Sequence, residues 1–183
     1  MKQINNAVVL LPLRGRHAEG KYAVVDANLP HLPAILQCRW YLTDRGYART
    51  FDWKDKNRVA VKLHRVVLNP PPGVGVDHIN RDPLDNRREN LRVAQASHNA
   101  MNRRRSPGQV PYRGVSARGA KFHAKLRWHN ESLHLGNFDT AADAARVYDI
   151  VALLLAGEFA VPNFEKTRYR TLLIQLRQLL ALE

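Results

Sequence analysis

The chain has 183 residues, enough for one medium domain or two small ones. With 45% hydrophobic and 25% charged residues it has the composition of a folded globular protein, not of a disordered or fibrous one. A net charge of +13 and a pI of about 10.5 direct it to polyanions, either nucleic acid or an anionic membrane surface.

Residues 1–63 read as β-rich. Val8 to Leu13 is an apolar run, and Lys21 to Val25 is a second one after the turn-prone Glu19-Gly20. Trp40-Tyr41, Tyr47 to Phe51 and Arg58 to Leu63 follow, with turns at Gly46 and Asp55-Lys56-Asn57. Trp40, Tyr41 and Trp53 suit either core packing or contact with nucleic acid.

Residues 64–105 carry the pattern richest in chemistry. Leu63 to Leu68 reads as a strand ended by Pro70, Pro71 and Pro72, and Gly73 to Gly75 permits a reversal. Val76 to Ile79 reads as a second strand. Asp85 or Asn86 then caps a helix through Glu89 and Leu91, and Ala96 to Asn102 continues as helix. Within this stretch stand Asp77-His78, Asn90 twelve positions after His78, and Asn99 nine further on. Neutral imidazole takes a proton from water near neutral pH, which makes His78 the candidate general base. The Asn90 amide oxygen can accept the other ring N–H of His78 and fix its tautomer. Asp77 and Asn99 offer hard oxygen ligands to Mg²⁺ or Mn²⁺ beside a scissile phosphate. His98 is the alternative to Asn99 if the helix is turned by one position. Arg92, Arg87 or Arg88 can reach the phosphate.

The segment VDHINRDPLDNRRENLRVAQASHNAMNR resembles the HNH homing-endonuclease family. That resemblance implies a ββα-metal core, one divalent metal, and the same four roles at Asp77, His78, Asn90 and Asn99. His64 also resembles a family position. Arg81 stands where the family commonly has glycine, so a positive φ there would carry about 1 kcal/mol of strain. The leading stretch, with its Trp-Tyr pair and Gly-Tyr-Ala, is similar to the leader of phage-type homing endonucleases.

Basic residues crowd the next region: between Arg87 and Arg127 the only acid is Glu89. The linker Asn102 to Val110, with Arg103, Arg104 and Arg105, is expected to track phosphates. In residues 106–164, Tyr112 to Val115 opens a strand, Lys121 to Trp128 alternates as a second, and Glu131 to Leu135 makes a third. Thr140 with Asp143 forms a capping box, opening a helix through Tyr148 and Leu155 that stops at Gly157. YRGV, LG-F-T-AA-AA--YD and the closing NF resemble the plant ethylene-response-factor (Apetala-type) DNA-binding domain. The resemblance implies a three-stranded sheet laid in the major groove, with Arg113, Arg118, Lys125 and Arg127 at contact positions. His134 stands where that family usually has tryptophan. Residues 165–183 read as an amphipathic helix through Leu172, Leu173, Leu176, Leu179 and Leu180, packed on the preceding helix or forming a dimer contact.

Cys38 is the only cysteine, so no intrachain disulfide forms and no Cys pair is available for structural zinc. Pro12, Arg14 and Arg16 break up the first apolar run, which speaks against a signal peptide, and no apolar run reaches membrane-spanning length. The sequence thus leads us to expect an α+β protein: a β-rich N-terminal region, a ββα-metal core, a three-stranded antiparallel sheet on one helix, and a C-terminal helix. It is expected to work on double-stranded DNA in the cell interior, without a membrane partner, as a site-specific endonuclease using Mg²⁺ or Mn²⁺. The rival is a non-catalytic, sequence-specific DNA-binding regulator with a decayed nuclease core. Oligomeric state stays open; a monomer with one site would nick.

Overall fold

The computed structural model describes residues 7–54, 56–103 and 109–180. The fold is α+β, as expected, and divides into two compact units, residues 1–95 and 96–183.

The first unit is built on a five-stranded sheet in the order β2-β1-β3-β4-β5. Its strands are β1 (Val8–Arg14), β2 (Tyr22–Asp26), β3 (Trp40–Leu42), β4 (Ala48–Lys54) and β5 (Asn57–Lys62), with a short helix α1 (Leu32–Gln37) between β2 and β3. Leu11, Leu13, Ala23 and Val25 point to one side, at the period of two that a half-buried strand requires. Trp40 joins them, and its indole N–H donates to the Ile35 carbonyl at 2.9 Å. Core packing is therefore the role of Trp40. The Trp53 side chain, Asp55 and residues 104–108, which include Arg104 and Arg105, lie outside the described residues.

Residues 63–68 are a helix, α2 (Leu63–Leu68), and not the expected strand. The β-branched Val66-Val67 pair looks like strand sequence, but Leu63, His64 and Val67 are the buried positions, which is helical spacing. The helix ends where Asn69 turns left-handed at φ 46° ahead of the proline run.

Strand β6 (Gly75–His78) consequently pairs with a later segment, β7 (Leu91–Ala94), in antiparallel register: Asp77 faces Arg92 and His78 faces Leu91. The expected helix through Glu89 and Leu91 is only one 3-10 turn, Arg88–Asn90, after which the chain extends. The Ile79 N–H donates to the Asn90 carbonyl at 2.9 Å and continues the β6–β7 ladder, which fixes Leu91 as strand. The N-terminal strands and this hairpin share one core, in which Leu91 packs with Leu11, Val25 and Leu63.

The second unit begins with helix α3 (Ala96–Asn102) and contains a three-stranded sheet, β8 (Val115–Arg118), β9 (Lys121–Trp128) and β10 (Glu131–Phe138), in the order β10-β9-β8. Helix α4 (Ala141–Ala156) covers one face of it, packing Tyr148, Ala152 and Leu153 against Leu126. The Thr140 side chain accepts from the Asp143 N–H at 3.1 Å, and Gly157 ends the helix with φ 52°, so both expected signals act as caps. Helix α5 (Arg170–Leu179) contributes Leu173 to the same core but leaves Leu172, Ile174 and Leu179 exposed.

Asp149 ties the closing segment to α4. It is fully buried, and its carboxylate accepts from the backbone N–H groups of Asn163 and Phe164, the Asn163 amide and the Tyr169 hydroxyl, all at 2.7–2.9 Å. A buried polar group of this kind is tolerated because its oxygens are hydrogen-bonded. No helix among the described residues is long and apolar enough to cross a membrane.

Candidate functional site

The residues around His78 are held by a polar block that fills the loop between β6 and β7. Asn90 is its hinge: its amide nitrogen donates to Asn80 Oδ1 at 2.9 Å and to the Asp85 carbonyl at 2.7 Å, and its oxygen accepts from the Asn80 backbone N–H at 2.9 Å. Asn80 in turn donates to Asp85 Oδ2 at 2.8 Å. Arg87 grips the Asp85 carboxylate through Nε at 2.8 Å and Nη2 at 2.7 Å. That hydrogen-bonded cation holds the Asp85 carboxyl below its usual range, overcoming the opposing effect of burial. The loop is also fastened to the sheet: the Val24 N–H donates to Leu84 and the Asn86 N–H to Val24, both at 2.8 Å. Arg81 takes φ 63°, the left-handed conformation that the motif's glycine would adopt without strain.

The amide expected at the His78 ring was that of Asn90, but Asn90 is committed to the loop. The oxygen that meets His78 Nε2 belongs to Asn86, at 3.4 Å. Asn86 is 1% exposed, and its own nitrogen donates to the Leu84 carbonyl at 2.9 Å, which turns its oxygen toward the ring. Capping a helix, the role expected of Asn86, is therefore not what it does. The physical reason is competition for acceptors: the Asn90 oxygen is taken by the Asn80 backbone N–H at 2.9 Å.

The other side of His78 is aromatic. The His64 ring stands edge-on to it with centroids 5.2 Å apart, and Tyr47 lies 5.8 Å from His78 and 5.4 Å from His64. Burial, then the neighbouring His78, Lys62 and Arg65 charges, push His64 down to about 3. Burial also lowers His78, against the Asn86 hydrogen bond and the carboxylates of Asp77, Asp82 and Asp85, which raise it. Both rings are neutral at pH 7, the state a proton acceptor needs. In the sequence Tyr47 stands out only as part of the Gly-Tyr-Ala of the leading stretch and as the start of a strand, with nothing that ties it to the site.

Asp77 and Arg92, opposite one another on β6 and β7, form an ion pair: Nη2 and Nε of Arg92 lie 2.8 and 2.9 Å from Asp77 Oδ2. Arg88, another phosphate candidate, is engaged by Asp26 at the end of β2 and by Asn28 in the turn after it. Asn99 lies on α3, in the second unit. Its neighbour His98 packs in that unit, 5.3 Å from Trp128 and 4.7 Å from Phe159 between ring centroids.

In the second unit, the strand register puts Arg118, Lys125 and Arg127 on the sheet face opposite α4, all three exposed. Arg113 is elsewhere: its guanidinium donates to the Met101 carbonyl at 3.2 Å and to that of Arg103, closing the C-terminal end of α3. Its guanidinium thus clamps that helix end. Arg103 is exposed at that helix end.

The sequence profile described as HNH endonuclease matches residues 61–101. An uncharacterized HNH endonuclease of Acanthamoeba polyphaga mimivirus is 31% identical over 166 residues, covering 87% of this chain and 83% of the relative. The chain belongs to the HNH endonuclease family. An AP2-like ethylene-responsive transcription factor of Oryza sativa subsp. japonica is 35% identical over 143 residues, 69% of this HNH protein but 21% of the rice protein. One from Arabidopsis thaliana is 40% identical over 72 residues, 35% of the chain and 14% of the plant protein. The HNH protein thus spans only a small part of those plant factors.

HNH nucleases use a divalent metal ion. Asp77 offers a hard carboxylate of the kind such an ion takes, with Arg92 Nη2 2.8 Å from one of its oxygens; among the described residues no group of three or more His, Cys, Asp or Glu side chains is gathered that could hold a metal.

Proposed function

We propose that this protein is a site-specific DNA endonuclease of the homing or phage type that hydrolyses phosphodiester bonds. The observation that carries the reading is the neutral His78 ring beside Asp77, walled by His64 and Tyr47 and hydrogen-bonded by Asn86, in a chain of the HNH family. His78 is the general base. With Nε2–H donated to Asn86, Nδ1 is the basic nitrogen and takes the proton of the attacking water. The oxygen of that water forms the new bond to phosphorus, and the bond to the 3′ oxygen breaks. By their motif positions, Asp77 and Asn99 are the residues that would hold Mg²⁺ or Mn²⁺. A divalent cation held there would supply positive charge to offset the negative charge that develops on the phosphate. Asn90 acts through the loop: it keeps Asp85 and Asn86 in place, and Asn86 keeps the ring in place.

The second unit supplies the grip on double-stranded DNA. Arg118, Lys125 and Arg127 present three exposed cations on one sheet face, with Arg103 and the linker arginines Arg104 and Arg105 as phosphate contacts. The AP2-like similarity supports sequence-selective binding through this sheet.

Cleavage of supercoiled plasmid carrying randomised inserts, with Mg²⁺ or with EDTA, tests the reading. Metal-dependent nicking by the wild type that is lost in His78→Ala, with DNA binding retained, is the expected result. Selective binding without cleavage in Mg²⁺ or Mn²⁺ would instead make the protein a DNA-binding regulator.

A further inference from the structure

The exposed face of the β8–β9–β10 sheet carries, between its cations, two histidines in contact. His123 on β9 and His134 on β10 lie with ring centroids 4.2 Å apart and planes inclined by 39°. His123 Nε2 and His134 Nδ1 form a hydrogen bond. The two residues are diagonal neighbours: His134 is paired with Lys125, and a register shift after His134 puts Asn137 opposite His123.

A hydrogen bond between two imidazoles determines what the pair shows to a ligand. If His123 Nε2–H donates, His134 keeps an N–H at Nε2 and His123 keeps an acceptor at Nδ1. If His134 Nδ1–H donates, the outer nitrogens exchange roles. In either tautomer the neutral pair presents one donor and one acceptor. One extra proton leaves the inner hydrogen bond intact and makes both outer nitrogens donors.

The edges of purines in the major groove differ in just this respect. Adenine shows the N7 acceptor and the N6 amino donor, whereas guanine shows two acceptors, N7 and O6. We propose that the His123–His134 pair is a base-selecting element of this sheet, matched to adenine when neutral and to guanine when it carries one additional proton. The proposal rests on the reading of this face as the DNA-contacting one.

The charged groups that face the pair are Arg118 on β8 and Lys125 on β9, beside His123, and Arg127 on β9, on the same face and diagonal to His134. Lys121, at the far end of β9, is paired with Asp139, and α4 covers the opposite face of the sheet. Desolvation by its neighbours, then the paired ring, Arg118 and Lys125, push His123 below the ordinary histidine range. The neutral form of His123 is therefore favoured on this face, and falling pH or approaching DNA phosphates favour the additional proton. Glutamine at either position would offer a donor and an acceptor that do not titrate.

In vitro selection from a randomised duplex library, with the full chain, EDTA to suppress cleavage, and constant ionic strength at pH 7.5 and 5.5, tests this. One motif position should shift from adenine toward guanine at the lower pH, by about tenfold in the ratio, the scale of one good base contact. His134→Gln and His123→Gln should select adenine there at both pH values, with circular dichroism confirming that the sheet is intact. Identical wild-type motifs at the two pH values would overturn the proposal, as would a shift that persists in both variants. A motif at neither pH would overturn the underlying reading of the sheet as a sequence reader, and the base-selection proposal with it, an outcome distinct from a motif that ignores pH.

Discussion

Arg92 holds Asp77 Oδ2 through both Nε and Nη2, so the carboxylate proposed as a metal ligand is oriented by a partner directly across a two-stranded ladder. The pair is mostly buried, with side-chain exposures of 14% for Arg92 and 8% for Asp77. Removing one partner from such a pair leaves a charge without compensation, which costs more than the pair itself contributes.

Arg92→Ala should therefore reduce nicking about 10- to 100-fold, the usual effect of losing a residue that orients a metal ligand. The loss should be recovered in part at raised Mg²⁺. A titration of nicking rate against Mg²⁺ measures it, and an unchanged half-saturating concentration would show that Arg92 does not orient the ligand.

Asn86 and Asn90 should separate in their effects. Asn90→Ala removes the amide that bonds the buried Asp85 carbonyl, at about 1–3 kcal/mol, and the bond to the more exposed Asn80 N–H. Its thermal midpoint should fall together with its cleavage rate. Asn86→Ala removes the ring contact and should lower kcat about tenfold or more, with KM little changed. Steady-state cleavage kinetics beside a melting curve distinguish the two.

His64 makes stability pH-dependent. Its folded value of about 3 lies below the unfolded 6.5, so between these limits the unfolded chain binds more protons. Its stabilising contribution is fully present above pH 6.5 and is lost as pH falls toward 3, by at most about 1.4 kcal/mol per pH unit. Denaturant midpoints measured from pH 7.5 to 4.5 should fall, and His64→Leu should flatten the curve. A slope unaffected by His64→Leu would assign the pH dependence to other groups.

Gly114 is irreplaceable on steric grounds. A Cβ there would lie 2.1 Å from the Tyr148 ring and 2.8 Å from the Lys125 carbonyl, and φ is 71°. Gly114→Ala should destabilise the second unit by about 3 kcal/mol or more, through overpacking added to backbone strain. Calorimetry of the full chain reads this directly, as loss of that unit's transition at a temperature where the first unit still melts cooperatively.

Local chemistry was legible in the sequence wherever one segment decides its own conformation. Thr140 with Asp143 starts α4 and Gly157 stops it because caps act on backbone groups within a turn. The alternation of Lys121 to Trp128 sorts Ala124 and Leu126 inward and Lys125 and Arg127 outward for the same local reason. The Asp77-His78 pair likewise needed only adjacency on a strand.

What only the tertiary structure decided were choices among competing partners. Val66-Val67 became helix because the core took Leu63, His64 and Val67 together. Leu91 became strand because β6 pairs with Leu91 to Ala94, while Leu63 to Leu68, the partner expected from sequence, is helical. Asn90 and Asn86 have the same amide, but the loop consumed one and left the other facing His78, while Arg113 spent its guanidinium on the carbonyls of α3. Sequence specifies which donors and acceptors exist; three-dimensional proximity decides which of them meet, since a buried polar group takes the nearest partner that satisfies it.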